Sequence, residues 1–298
     1  MKFILLKGLL LCCCGIVHAQ RRTPLLEVEA AGGYQTADLR WSIAGAGSGQ
    51  SPDILSELKW RAVSGPLVTA TVRLPLSGEL FIGAEGSKCF ITTGTATDTD
   101  YADDDRRLPT YHAQLDSDAG NLSAFRLYAG YHFLQRRRMR MTVSAGYAEN
   151  REALFLLDHA AYVPGQKNLR CTYDTRWKGM TGGIAGRYQV TSWLDITVEV
   201  LYSQMRYTAL ADWNLIAAFQ HPVSFQQQAS GFDVKAALGA VFRLKGYLSV
   251  FVSGVYRRAE TGNGTDKLFL ESGTVQTTQF NGAFSSAASV TMGTVIRF

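Results

Sequence analysis

The residues best suited to chemistry in this chain are carboxylates gathered at two places: Asp98 and Asp100, followed by Asp103, Asp104 and Asp105, and, much further along, Asp212. Carboxylates held close together share protons, and an ionised member of such a group can position a water molecule and deprotonate it for attack on a carbonyl. The same residues read equally as a solvated acidic loop, or as a cation site made of oxygen ligands. A second group follows a different logic. Met139, Met141, Val143 and Ala145 share one face of an alternating segment, and that parity continues into Tyr147, Glu149 and Arg151. In the next segment Arg176 and Lys178 share the parity of Met180, Ile184 and Tyr188. Arg151, Arg176 and Lys178 can thus form one basic cluster at headgroup level, where charges on a lipid face cost little and an anionic lipid phosphate suits arginine. Strands that simply rise out of the bilayer into water would give the same pattern.

Both groups need a scaffold, and the alternation supplies it. Ala288, Val290, Met292, Ile296 and Phe298 fall on one face, with Ser289, Thr291, Gly293 and Arg297 on the other. Leu194, Ile196, Val198, Val200 and Tyr202 alternate with Asp195, Thr197 and Glu199, and similar runs occupy 125–133 and 248–253. A soluble sandwich would also alternate, but a last strand ending on Phe298 resembles the signature of barrels assembled into bacterial outer membranes. The expected fold is therefore all-β: a transmembrane antiparallel β-barrel of the outer-membrane type with about ten strands. They are placed near 33–45, 56–72, 78–97, 122–134, 138–157, 170–189, 193–211, 230–244, 246–260 and 284–298. Short connections alternate with long ones, and short turns belong in the periplasm. That puts both termini in the periplasm and extracellular loops near 46–55, 98–121, 158–169, 212–229 and 261–283.

Composition agrees and narrows the function classes. Of 298 residues, 46% are hydrophobic and only 18% charged, with a net charge of +5, which fits neither a disordered tail nor a nucleic-acid module. Residues 1–19 read as a secretory signal, with Lys2 before the apolar run Leu5 to Val17 and small residues at Ala19. Residues 20–298 are then a single barrel domain. Leu9, Leu10 and Leu11 ahead of Cys12 argue against lipoprotein processing. Once the signal is removed only Cys89 and Cys171 remain, which makes neither a disulfide scaffold nor a metal knuckle. No metal and no cofactor is expected, and whether the two cysteines pair is open.

At the residues already named the chain resembles the omptins, outer-membrane endopeptidases whose ten-stranded barrel rises above the bilayer. Ser56-Glu57-Leu58-Lys59-Trp60 is similar to the family's second strand, and Asp98-Thr99-Asp100-Tyr101-Ala102-Asp103 to its Asp-x-Asp-aromatic-x-Asp segment. Ala145 to Arg151 is similar to its fifth-strand signature, Tyr173 to Lys178 to its sixth strand, and Arg257 to Thr265 to the start of its last loop. The resemblance implies an aspartic-type protease, a hydrolase at the cell surface whose catalytic aspartates are Asp98, Asp100 and Asp212, acting on an extracellular peptide or protein. It also implies lipopolysaccharide binding through Tyr147, Glu149, Arg151 and Arg176, with that lipid needed for activity.

The chain departs from the family at two positions. Asn214 stands where the family's catalytic His is expected, and asparagine takes no proton near neutral pH. Leu210 replaces the acidic residue that favours basic substrates. Two substitutes are open: an aspartic-type dyad sharing one proton, or His221 folding back from the same loop, with His112 and His159 as weaker candidates. The alternative is a catalytically inactive surface barrel that binds lipopolysaccharide and an extracellular partner. A third reading, a small channel, rests only on Asp195, Glu199 and Arg126 lining the lumen. Strict alternation from Ile82 or Val198 would turn Asp98 and Asp212 toward lipid, so each strand is expected to carry a bulge below its tip.

Overall fold

The computed structural model describes residues 25–298, so the signal-peptide reading of residues 1–19 lies outside the described residues. Successive side chains of a strand point to opposite faces, so these alternating segments are satisfied only in a sheet with one apolar and one polar side. Twelve strands follow in chain order: β1 (Glu27–Ile43), β2 (Ser56–Pro75), β3 (Leu80–Phe90), β4 (Thr93–Asp103), β5 (Arg107–Asp116), β6 (Gly120–Gln135), β7 (Met139–Leu157), β8 (Arg170–Gln189), β9 (Leu194–Asp212), β10 (Phe225–Arg243), β11 (Leu248–Phe269) and β12 (Val275–Arg297). Every pairing is antiparallel, and β1 pairs with both β2 and β12, so the sheet closes into an outer-membrane-type barrel with no free edge.

Around the ring there are ten staves rather than twelve, because two staves are each broken into two strands. β3 pairs with the lower part of β2 (Leu67↔Cys89), and its continuation β4 with the upper part (Leu58↔Asp98). β5 and β6 divide the next stave in the same way, reaching β7 at Asp116↔Leu157 and along Gly120↔Leu154 onward. The expected loop over 98–121 is therefore largely a β-hairpin, β4 with β5. The expected strand over 78–97 already takes in the start of β4, and the rest of the hairpin escaped the apolar pattern because Thr99, His112 and Gln114 on its outward row are polar. Threonine favours the extended backbone without being apolar. At the second break Gly120 has φ +109, and a Cβ there would lie 2.1 Å from the Ala153 carbonyl oxygen.

The first break also shifts parity. Below it Cys89 and Ile91 are buried, whereas above it Ala96 and Asp98 are, with Thr92 and Thr93 exposed between them. β2 makes the matching shift with a bulge at Ala62 (φ 50), whose N–H donates to Asp38 Oδ1 at 2.7 Å. Leu67 faces inward below the bulge and Leu58 and Trp60 above it. β9 carries no register shift along either neighbour, so the bulge expected there is absent.

The outward row of each stave forms an apolar band that includes Val72, Ile82, Val143, Ile184, Val200 and Met292. Tyr34, Tyr147, Tyr202 and Tyr256 rim one side and Tyr188, Trp193 and Tyr247 the other, the aromatic girdles of a membrane barrel. Inside, Arg126 pairs with Glu199 at 3.1 Å, Arg73 with Glu27 and Glu29, and Arg187 and Arg243 with Asp195. These pairs surround a cavity of about 620 Å³. Its end toward the long loops is stopped by packed aromatics. Trp60 stacks on Tyr173 with ring centroids 5.0 Å apart, Tyr207 stacks on Phe280 at 5.7 Å, and Trp177 meets Tyr207 at 4.5 Å with the rings tilted by 59°. The Tyr173 hydroxyl sits 2.5 Å from both Tyr207 Oη and Gln227 Oε1, so this plug has its polar atoms paired.

Candidate active site and outer-wall cluster

Above the plug, at the loop end of the barrel, the parity shift in the third stave turns Asp98 inward. Its side chain is buried, and the carboxyl is pushed up to about 7, first by burial and then by the neighbouring Asp100 charge. Asp100 is raised as well, by burial, with the Ser56 hydroxyl acting in the opposite direction. The Asp98 carboxyl therefore keeps its proton up to near neutrality. The rest of the acidic run goes elsewhere. Asp104 Oδ1 accepts the Asp53 N–H at 2.8 Å, Asp103 Oδ1 accepts the Asp104 N–H at 2.8 Å, and Asp53 Oδ1 accepts the Asp105 N–H at 2.9 Å. Asp103 and Asp104 thus shape the tip of the β4–β5 hairpin, where Asp105 and Arg106 are left-handed, and have no part in the carboxyl pair.

Asp212 ends β9 opposite Thr172 of β8. Without a bulge it keeps outward parity at the last rung of the ladder, and His221 Nδ1 bonds to its Oδ1. His221 Nε2 lies 3.3 Å from the Ile216 carbonyl oxygen. The loop 213–224 that carries the histidine is anchored at its base by the Trp213 N–H, which donates to Ser224 Oγ at 2.9 Å. Cys171 on β8 is buried within electrostatic reach of both Asp98 and Asp212. Its thiol is pushed up to about 12, first by burial, with Asp98 and Asp212 both adding to the rise. Tyr111 of β5 is raised by burial, with Asp98, Asp100 and Cys171 contributing. Trp213 acts the other way on the Asp98 carboxyl, lowering its pKa. Sequence patterning left Cys171, Tyr111 and Trp213 unmarked because each reads as an ordinary core or rim residue.

Asn214 does structural work at its position. Its Oδ1 accepts the Arg170 N–H at 2.9 Å and its Nδ2 donates to the Asn168 carbonyl at 2.9 Å, tying the start of β8 to the loop after β9. His112 faces the outer wall, with Nδ1 2.9 Å from Thr99 Oγ1, and His159 pairs with Asp118 at 3.0 Å on an exposed loop. Neither joins the carboxylates. Cys89 and Cys171 are separate free thiols.

On the outer wall, just above the tyrosine rim, Glu149 gathers the expected residues. Its carboxylate accepts from Arg151 Nε at 2.5 Å, from Arg176 Nη2 at 2.8 Å and from the Tyr147 hydroxyl at 3.2 Å. The register Arg151↔Arg176 and Glu149↔Lys178 brings these side chains to one exposed face, with Arg206 opposite Lys178 on β9. Two guanidiniums share one carboxylate, so the cluster keeps a net positive charge.

Among solved structures the chain is similar to the outer membrane protease OmpT from Escherichia coli, at 15% identity and a TM-score of 0.72 over 92% of this chain and 96% of that one. At that identity the likeness establishes the shared fold. The outer membrane protein OprG from Pseudomonas aeruginosa also matches, at 9% identity over 93% of this chain and 97% of that one, with a TM-score of 0.36. No curated protein matches the chain. The family model described as Pom, Protochlamydia outer membrane protein, matches residues 29–297. That span takes in every strand of the barrel from β2 to β12 and nearly all of β1, and the chain belongs to the Protochlamydia outer membrane protein family.

Proposed function

We propose that this barrel is a cell-surface endopeptidase whose loop end faces the exterior and whose Asp98, Asp100 and Asp212 activate a water for attack on a peptide carbonyl. The observation that carries the reading is His221, which lies nine residues beyond Asp212 and is bonded to it through Nδ1. An imidazole oriented by a carboxylate is a proton acceptor of the kind that Asn214 cannot be. In this scheme Asp98 and Asp100 hold one proton between them. The ionised member orients the water, the protonated one donates to the carbonyl oxygen, and the His221–Asp212 pair takes the water's proton once Nε2 leaves the Ile216 carbonyl. The omptin-like fold, which the OmpT protease shares at 15% identity, supports the choice of reaction class but not the choice of residues. Purified barrel should cleave peptides, and Asp98→Asn or Asp212→Asn should abolish the cuts. Undiminished cleavage in either variant removes the mechanism.

A second reading is favoured by Asn214, whose side-chain oxygen and nitrogen both hold the rim together. On it the barrel is a non-catalytic surface protein that binds lipopolysaccharide and an extracellular partner. Both readings include a lipopolysaccharide site at Tyr147, Glu149, Arg151 and Arg176, for which the support is the exposed, net-positive cluster just above the aromatic rim. Lipid phosphate would compete with Glu149 for guanidiniums already aligned for an anion.

A further inference from the structure

The bulge at Ala62 has an effect on the outside of the barrel as well. It turns Trp60 into the plug and places Lys59 and Arg61 together on the outer face, above Val68 and Val72, the lipid-facing residues of the same strand. Across the ladder Lys59 opposes Thr97, Arg61 opposes Thr95, and Thr99 opposes His112. Lys59, Arg61, Thr97, Thr99 and His112 enclose a cleft of about 400 Å³, completed by Tyr101 and Pro109. The cleft lies on the face of β4 opposite Asp98 and Asp100, and away from the Arg151 and Arg176 cluster on β7 and β8.

Its charge is positive and incompletely neutralised. Lys59 pairs with Glu57 at 2.5 Å, but Glu57 is also held by Arg106 at 2.9 Å, so two cations face one carboxylate. Arg61 enters no ion pair among the described residues, and Asp38, the nearby acid of β1, is engaged by the Ala62 N–H. The opposite wall is uncharged and rich in hydroxyls. Thr99 Oγ1 and His112 Nδ1 lie 2.9 Å apart, which fixes the imidazole with its other nitrogen available. Tyr101 and Pro109 add flat apolar surface.

We propose that this cleft binds a phosphorylated sugar. Arg61 and Lys59 take the phosphate, Thr97, Thr99 and His112 hydrogen-bond the ring hydroxyls, and Tyr101 and Pro109 lie against the ring's apolar face. A bare phosphate would use only Arg61 and Lys59 and leave the Thr97, Thr99 and His112 wall idle, and a neutral sugar would make no use of the two cations. The phosphorylated sugar can come from the saccharide layer of the membrane itself or from solution; the chemistry recognised is the same.

The test is calorimetric titration of the refolded full-length barrel in detergent with glucose 6-phosphate, with glucose and inorganic phosphate run separately. Saturable binding tighter than that of either fragment is expected. Arg61→Ala, a change at an exposed side chain, should weaken it about tenfold or more, as loss of a charge-assisted hydrogen bond implies. Thr97→Val should weaken it too, and Arg151→Ala with Arg176→Ala should leave it intact. No saturable binding, equal affinity for inorganic phosphate, or no change in Arg61→Ala each overturns the proposal. So does loss of binding only in the Arg151 and Arg176 variant, which would return the ligand to the lipid cluster. Displacement by phosphorylated core oligosaccharide released from lipopolysaccharide would name the membrane as the source, and displacement only by soluble sugar phosphates would name the medium; either result supports the site.

Discussion

Replacing Asp98 with asparagine should make the barrel more stable at alkaline pH, and the size of the effect follows from its burial. The carboxyl is pushed up from its ordinary 3.8 to about 7 in the folded protein, so it binds its proton more tightly folded than unfolded. The stability that the bound proton contributes is therefore full below about pH 4, falls as the pH rises through the window from 4 to 7, and is gone above it. A shift of that size corresponds to roughly 4 kcal/mol in all, of which roughly 3 kcal/mol is lost between about pH 5 and about pH 9. Asp98→Asn cannot ionise, so its stability should lack this descent. Denaturant midpoints, read by tryptophan fluorescence on barrels refolded into phospholipid vesicles, would give both curves. Asp266, pushed up to about 6 chiefly by burial, contributes its own slope to both proteins and cancels in the comparison. The variant should overtake the parent as pH rises, by a few kcal/mol at the alkaline end. Parallel curves would mean that Asp98 is neither buried nor proton-retaining as the structure has it, and would remove the proton it is assigned in the cleavage scheme.

Three further outcomes are expected. Asn214→Ala should cost about 0.5–1.5 kcal/mol, because it strips partners from the Arg170 N–H and the Asn168 carbonyl at a site water can reach, and Asn214→His should not restore them; an unchanged melting temperature would show the amide to be idle. Arg151→Ala combined with Arg176→Ala should abolish lipopolysaccharide binding measured on immobilised lipid, and wild-type binding should weaken with salt as exposed ion pairs do; unaffected binding refutes the outer-wall site. Planar-bilayer recordings should show no conductance steps, since the aromatic plug stops the lumen cavity at the loop end; steps of porin size would contradict the plug.

The alternation of apolar and polar residues was enough to read the barrel and most staves, because a lipid face tolerates few polar residues and so writes a regular pattern. It failed where the sheet leaves the membrane. Beyond residue 97 the outward row of the β4–β5 hairpin is Thr99, His112 and Gln114, which are polar, and so that part read as loop. Parity foresaw a shift below Asp98, which the break at Ile91 and Thr92 provides, but the shift it required below Asp212 is absent, so Asp212 keeps outward parity at the end of its strand. The return of His221 onto Asp212 depends on a long loop folding back, and the burial of Asp98 on distant strands closing a ring. No local pattern encodes them. The Tyr147, Glu149, Arg151 and Arg176 cluster was legible because neighbouring strands and a fixed parity suffice to build it. The cleft at Arg61 was not, because it depends on a one-residue bulge.

The most direct test of the proposed activity is mass spectrometry of a diverse peptide library incubated with refolded barrel and lipopolysaccharide, with Asp98→Asn and His221→Ala run alongside. Discrete cuts by the parent that vanish in both variants are predicted, and the residues flanking those cuts would define its specificity. No cuts by the parent, under conditions in which an active omptin cleaves, or cuts that persist in His221→Ala, would contradict the assignment of the Asp212–His221 pair as the base.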